Sequence, residues 1–285
     1  MTLRVTFDTD DQSAVALQRT VLASLPTSFA LGAAGQADVV AISGTDDDWV
    51  GRGRRAVEGG VRGVFIACPG RAGPVALRQL GADARAAGVT VLVAAAYRAD
   101  PAWADCLATA RQDLPSLQVV DSVIRVTPGG GPQAKRDALL RGVLEQTGLV
   151  EDLAEGPVQL EVAHSSEGQY VVVGTAGPTV VTLTGVISPL GSKRFSLDAV
   201  GENCRWSARF DGDAPARPSE VTRTDRSGSL TAARRYEGSH RRCWRLLHAA
   251  IETGTPSQFT LEDLAGRLAA VPAPFADDGA IEKHS

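Results

Sequence analysis

The chain has 285 residues, with 29 Lys+Arg against 33 Asp+Glu and a formal net charge of −4 at pH 7. At 44% hydrophobic and 22% charged residues it is globular, with length for one large or two ordinary domains, which excludes an intrinsically disordered chain. The acidic balance gives no electrostatic reason to expect nucleic acid or an anionic membrane as partner. Lysine occurs only at Lys135, Lys193 and Lys283, every other basic residue being arginine, so nothing before residue 135 can supply an amine acid, base or Schiff base.

No uninterrupted apolar run reaches the roughly 18 residues of a membrane-spanning helix. The start, MTLRVTFDTDDQ, has neither the basic residues nor the apolar stretch of a signal peptide, so a cytoplasmic location is expected. Cys68, Cys106, Cys204 and Cys243 are scattered without a CxxC pair or a nearby histidine cluster, the pattern of free thiols rather than of a zinc site or disulfide framework.

The first 127 residues alternate short β-like runs with helical stretches. Leu3–Phe7 is a strand, and residues 13–25 form a helix with Ser13 at its N-cap and Val15, Leu17, Val21, Leu22 and Leu25 largely on one face. Strands follow at Phe29–Leu31 and 38–43. A helix over 49–58 stops at Gly59-Gly60. The pattern continues with a strand at 63–67, a helix at 74–87 ending at Gly88, a strand at 89–94, a helix at 102–111 and a strand at 117–126. Unbroken Val/Ile/Leu strands separated by helices predict a parallel sheet covered on both faces, a Rossmann-like α/β domain.

Around Pro128-Gly-Gly-Gly131 the pattern changes. A helix over 133–147 precedes β-rich segments at 158–164, 169–174, 179–187, 194–200 and 204–211, separated by turns such as Asp211-Gly212-Asp213 and Ser227-Gly228. The alternation in Val181-Thr-Leu-Thr-Gly-Val-Ile187 is that of an antiparallel sheet with one wet face. A helix over 239–253 is stopped by Gly254 and Pro256. Another, over 260–270, opens with a capping box of Thr260 and Asp263, and a frayed tail ends the chain. The domains expected are residues 1–127, Rossmann-like, and 128–285, α+β with a large, open, mostly antiparallel sheet.

Several short stretches carry a likeness to a known family: Ala37-Asp-Val-Val-Ala-Ile42, Ala56-Val-Glu-Gly-Gly60 before a short strand, Tyr97-Arg98-Ala-Asp-Pro101-Ala, and the closing helices at 240–254 and 259–268. In their order and spacing the chain resembles the family of glucose–fructose oxidoreductase, inositol dehydrogenase and the MocA protein, NAD(P)-dependent dehydrogenases of sugars, cyclitols and related polyols. That resemblance implies a second domain whose open-faced sheet serves subunit packing and forms one wall of a sugar pocket.

The chemistry such a family needs is not where the resemblance would put it. A dinucleotide site at the first strand–turn–helix needs glycines, so that backbone can approach the pyrophosphate. That turn here is Phe7-Asp8-Thr9-Asp10-Asp11-Gln12-Ser13, with no glycine and three carboxylates. The helix field of roughly +0.5 charge is answered by aspartate, and a pyrophosphate would meet like charges costing on the order of 2–4 kcal/mol per pair before screening. The aspartates serve as helix caps and for solubility, or as a metal site replacing the phosphate site. After the second strand, Phe29-Ala-Leu-Gly-Ala-Ala-Gly35 has no ribose-reading acid.

The family's Glu-Lys-Pro turn aligns with Ala67-Cys68-Pro69, so Cys68 stands at the lysine, where it reads as a small apolar residue or, if activated, a nucleophile. The Asp and His that resemblance expects on the helix after the Gly-Gly turn align with Lys135 and Leu139, and leucine transfers no proton. The candidate pocket is Cys68, Tyr97, Arg98, Lys135 and His164. Arg98 is also placed for an ion pair with Asp100, and His240, Arg241, Arg242 and Arg245 form a basic helix face. These residues predict a degenerate, non-catalytic homologue without cofactor or metal. It would act as a structural or regulatory subunit, pairing its C-terminal sheet with itself or a catalytic relative. The alternatives are an active NAD- or NADP-dependent oxidoreductase with a rebuilt site, or a sugar-binding module without turnover.

Overall fold

The computed structural model describes all residues except 34, 128–130, 155–156, 190–193, 212–217, 273–274 and 276–285. The chain divides into two compact units, Met1–Ala99 with Glu237–Ala269, and Asp100–Tyr236 with Ala270–Ser285. A linear cut at 127/128 therefore differs from the structural division. The last strand before the cut joins the second unit's sheet, and the closing helices return to the first. The glycine pair expected at 129–130, Gly212-Asp213 and the tail from residue 276 lie outside the described residues.

In the first unit, β1 (Leu3–Phe7), β2 (Phe29–Leu31), β3 (Val39–Ser43), β4 (Gly63–Ala67) and β5 (Thr90–Val93) form a wholly parallel sheet in the order β2-β1-β3-β4-β5. β4 is buried at all five positions, as a strand covered on both faces should be. The helices of this unit are α1 (Gln12–Ala23), α2 (Trp49–Glu58), α3 (Pro74–Ala86) and, from the end of the chain, α6 (Ser239–Thr253) and α7 (Leu261–Ala270). Gly60, Gly88 and Gly254, at the expected helix ends, all take positive φ. The capping box is made as expected: Thr260 N–H donates to Asp263 Oδ2 and Asp263 N–H to Thr260 Oγ1, each at 3.1 Å. Between β2 and β3 no helix occurs among the described residues.

The start of α1 differs from expectation. Its N-cap is Asp11, whose Oδ1 accepts from Ala14 N–H at 2.9 Å, and Ser13 sits in the first turn donating its hydroxyl to the same oxygen at 2.6 Å. A carboxylate both accepts from the orphan amide and matches the helix field with full charge, which a hydroxyl cannot do. The core of the unit gathers Leu3, Val5, Val21, Leu22, Phe65, Leu92 and Trp244. The Trp244 ring stacks on Phe65 at 4.1 Å and 9°, and its indole N–H donates to the buried Gln18 Oε1 at 2.8 Å, satisfying the polar handle on α6 against α1.

The second unit holds α4 (Pro101–Asp113), α5 (Pro132–Leu153) and an eight-stranded sheet, β13-β12-β11-β10-β6-β9-β8-β7. Its strands are β6 (Leu117–Val126), β7 (Val158–Ser166), β8 (Gln169–Ala176), β9 (Thr179–Ile187), β10 (Arg194–Gly201), β11 (Cys204–Asp211), β12 (Glu220–Asp225) and β13 (Gly228–Thr231). All neighbours are antiparallel except β6 and β9. On one face Val120, Ile124, Tyr170, Val172, Val181, Leu183, Phe195 and Leu197 are buried. α5 packs there: fully buried Gln146 donates to Ser122 O, Ser122 Oγ and Thr184 O at 2.9–3.1 Å and accepts from the Tyr170 hydroxyl.

α5 outruns the expected end at Thr147. It continues through Gly148 to Leu153 because Leu149, Val150 and Leu153 enter the core, and their burial outweighs the roughly 1 kcal/mol that glycine costs in a helix. The opposite face of the sheet is open. Val119, Val123, Val173 and Val180 are 37–52% exposed on it, alternating with polar neighbours.

Candidate functional site

Ligands of open parallel sheets bind beyond the carboxyl ends of the strands where chain order reverses. In the first unit that point lies between β1 and β3. Residues following both strands meet there in one polar network. Arg52 on α2 donates from its two terminal nitrogens to Asp8 Oδ1 at 3.0 Å and Asp10 Oδ2 at 2.6 Å, while its Nε lies 3.9 Å from Asp46 Oδ2. Asp10 N–H also donates to Asp46, at 3.3 Å. On the other side, Asp11 Oδ2 accepts from Thr45 at 2.9 Å and Ser43 at 3.4 Å. Burial raises the Asp11 pKa, but hydrogen bonds from Ser13, the Ala14 amide, Thr45 and Ser43 outweigh it and leave the carboxyl below its ordinary value. Burial works against the Arg52 charge as well; its bonds to Asp10 and Asp8 prevail and raise its pKa.

The three carboxylates thus do not converge on a common point. Two are clamped by a guanidinium and the third caps a helix. Among the described residues no group of His, Cys, Asp and Glu is arranged to hold a metal. The Ala14 amide at the start of α1, one of the groups that would meet a diphosphate there, is taken up by Asp11.

The next strand ends are equally tight. Gly44 N–H donates to Ala67 O at 2.7 Å, and a Cβ on Gly44 would lie 2.6 Å from Pro69 Cα. Only glycine allows this approach. Cys68, within the contact, has φ +47°, the one positive φ of a non-glycine residue among those described. None of the four cysteines is in a disulfide, and Cys68 is half-buried. Tyr97 is buried, and the Arg98 guanidinium lies over the Phe259 ring at 5.4 Å, a cation–π contact. Asp100, the ion-pair partner foreseen for Arg98, caps α4 through the amides of Ala102 and Trp103 and accepts from Ser219 at 2.6 Å. On the basic face of α6, Arg245 pairs with Glu237 at 3.0 Å and His240 meets Gln18 at 3.3 Å.

In the second unit, Lys135 is half-buried in the first turns of α5, and Leu139 one turn on is 4% exposed. His164 sits at a bulge in β7 opposite Val171, within 3.3 Å of Gln169. It lies on the face away from α5, so the sheet separates Lys135 from His164.

Arg52, Ser43 and Thr45 escape the sequence reading. Arg52 is one of three arginines in Trp49-Val-Gly-Arg-Gly-Arg-Arg55, and nothing in the spacing singles out the one that turns toward β1. For Ser43 and Thr45 a signal exists: hydroxyls just past a central parallel strand stand at the ligand-binding edge of such a sheet.

No family model and no curated protein matches the sequence. Solved structures do match the fold. Aldose-aldose oxidoreductase from Caulobacter crescentus, complexed with glycerol, superposes with a TM-score of 0.76 at 12% identity, covering 94% of this chain and 95% of that one. A 3-ketoreductase from Actinomadura kijaniata in complex with TDP-benzene and NADP gives 0.71 at 12% identity over 94% and 95%. UDP-N-acetylglucosamine 3-dehydrogenase from Acidithiobacillus ferrooxidans gives 0.67 at 13% identity over 94% of each.

The expectation of no cofactor is corrected by this finding, because the fold is one in which a solved neighbour holds NADP. The missing glycines and the aspartates bear on one diphosphate contact, whereas a dinucleotide is also held through its base, riboses and nicotinamide, so their loss does not establish absence of the cofactor. The chain has the fold of the glucose–fructose oxidoreductase, inositol dehydrogenase and MocA type of NAD(P)-dependent oxidoreductase.

Proposed function

We propose that this chain is a non-catalytic homologue of those oxidoreductases, a structural or regulatory subunit, with NAD or NADP as the cofactor class its fold points to. The observation that carries this reading is Leu139, a buried leucine on α5 where the resemblance expects the proton-transferring histidine. Cys68 stands at the lysine position, and the only lysines are Lys135, Lys193 and Lys283. The β1–α1 turn adds to it, since it would meet a diphosphate with carboxylates rather than amides. Pairing through the open sheet is supported by the exposed Val119, Val173 and Val180 on β6, β8 and β9, a broken apolar band suited to burial against another sheet.

Reduced-nicotinamide absorbance, followed with NAD and NADP against a panel of aldoses, cyclitols and their keto forms, should stay at the uncatalysed rate, with dinucleotide binding measured separately by calorimetry. Turnover that disappears in Lys135→Ala would sink the reading. The subunit role is checked by co-expression with a dehydrogenase of this fold encoded nearby: co-elution and altered activity of that enzyme are expected, and separate elution with unchanged activity refutes the pairing. One observation favours a second reading, an active oxidoreductase with a rebuilt site: Cys68 holds a left-handed backbone at a strand end, where functional residues concentrate. Activity abolished in Cys68→Ser would select it.

A further inference from the structure

The chain is acidic overall, yet one groove on the open face of the large sheet reverses that sign. Its volume is about 740 Å³, and among the described residues Arg125, Arg194, Arg209 and Arg234 line it together with two carboxylates, Asp211 and Glu220. Strand alternation puts Arg125, Arg194 and Arg209 on one face. Arg125 on β6 stands directly opposite Arg194 on β10, which in turn stands opposite Asp211 on β11, and Arg209 is the next residue of β11 on that face. Arg234 reaches the groove from the chain after β13, as does Tyr236, which is 70% exposed.

Only Arg194 has an acidic partner within salt-bridge range among the described residues, Asp211 at 3.5 Å. Like charges directly opposite on antiparallel strands repel; Glu220 on β12 stands directly opposite Arg209, but among the described residues no carboxylate comes within ion-pair distance of Arg125, Arg209 or Arg234. Four guanidinium forks on a concave surface of ligand size make a receptor for a multiply charged, planar-edged anion: each fork can take two oxygens of one phosphate. The exposed Tyr236 ring at the rim offers a flat surface for stacking an organic moiety.

We propose that this groove binds a diphosphate-bearing small molecule. Two or three negative charges on adjacent phosphates match the surplus of arginine over carboxylate, which a monoanion would leave unbalanced. The groove belongs wholly to the second unit, so the proposal does not depend on the reading of the first unit's strand ends or on Leu139.

The test is calorimetric titration of the full chain with inorganic pyrophosphate, uridine diphosphate and uridine, at low and moderate salt. Saturable binding of the two diphosphates, absence of uridine binding, and weakening with salt are expected. The double variant Arg125→Gln/Arg209→Gln should bind pyrophosphate at least about tenfold more weakly, while Arg78→Gln on α3 binds as wild type. All these arginines are exposed, and circular dichroism and the thermal midpoint serve to confirm that the variants fold. Equal affinity of the double variant and wild type, or no saturable binding, overturns the proposal. So does a change in molar mass by light scattering in the double variant without diphosphate binding, which would assign the groove to an acidic surface of a second copy.

Discussion

Two regions of this molecule where arginine meets carboxylate have opposite electrostatic logic. At the ends of β1 and β3 a single guanidinium, Arg52, faces Asp8, Asp10 and Asp46, and a fourth carboxylate, Asp11, is consumed by the α1 cap and two hydroxyls. In the groove of the second unit, four arginines face two carboxylates among the described residues. The first cluster is closed on itself and holds local structure together. The second carries uncompensated charge that the fold alone does not need. Residue type is the same in both places, so function is read from whether the partners are supplied by the chain.

The sharpest way to break this comparison is to remove one cation from each region. Arg52→Ala leaves Asp8, Asp10 and Asp46 around an empty centre. Arg52 is 17% and Asp46 9% exposed in their side chains, but Asp8 and Asp10 are 45% and 84% exposed, so solvent takes up part of the loss. We expect a destabilisation of about 1–2 kcal/mol, below the cost of breaking a fully buried pair. Urea unfolding with an unchanged slope measures it, and an unchanged midpoint would show that the clamp contributes nothing.

A smaller effect follows from the cap. Asp11→Ala should cost about 1 kcal/mol, and Asp11→Asn much less, since the amide oxygen can still accept from Ala14 N–H. The folded Asp11 carboxyl lies below its ordinary value. Its contribution is therefore fully present above the unfolded pKa near 4 and is lost as pH falls through the lower folded value. The stability difference between wild type and Asp11→Ala should shrink correspondingly in acid. A gap that stays constant from neutral pH to well below that window would remove the charge from the account of this cap.

Much of the fold was legible because hydrophobic patterning and helix punctuation act locally. The five parallel strands stand within a residue or two of expectation, and Gly60, Gly88 and Gly254 end helices where positive φ is required. The end of α5 was not legible: Gly148 reads as a stop, and only tertiary burial of Leu149, Val150 and Leu153 carries the helix past it. The unit boundary failed for a similar reason, because β6 looks like one more Rossmann strand until its partners β9 and β10 are known. Of the candidate site, the aspartate turn was visible as a charge conflict, but its resolution by Arg52 depends on a helix about 40 residues on. The groove arginines lie on β6, β10, β11 and the chain after β13, and alternation places three of them on a face only once strand order is fixed.

The smallest effect has the opposite sign, and the sign is the point. Arg125 stands opposite Arg194 on the neighbouring strand, with Asp211 already engaged by Arg194. Replacing Arg125 with glutamine removes a repulsion and leaves no carboxylate of the groove stranded. Without phosphate in the buffer, Arg125→Gln should therefore raise the thermal midpoint slightly, through a stabilisation of a few tenths of a kcal/mol at most, since both side chains face solvent. Added salt should narrow the gap, because screening does for wild type what the substitution does for the variant. Diphosphate should reverse it, stabilising wild type by mass action more than the variant. A lowered midpoint in phosphate-free, low-salt buffer would mean that Arg125 has a stabilising partner within the fold, and that the groove, like the Arg52 cluster, is closed on itself.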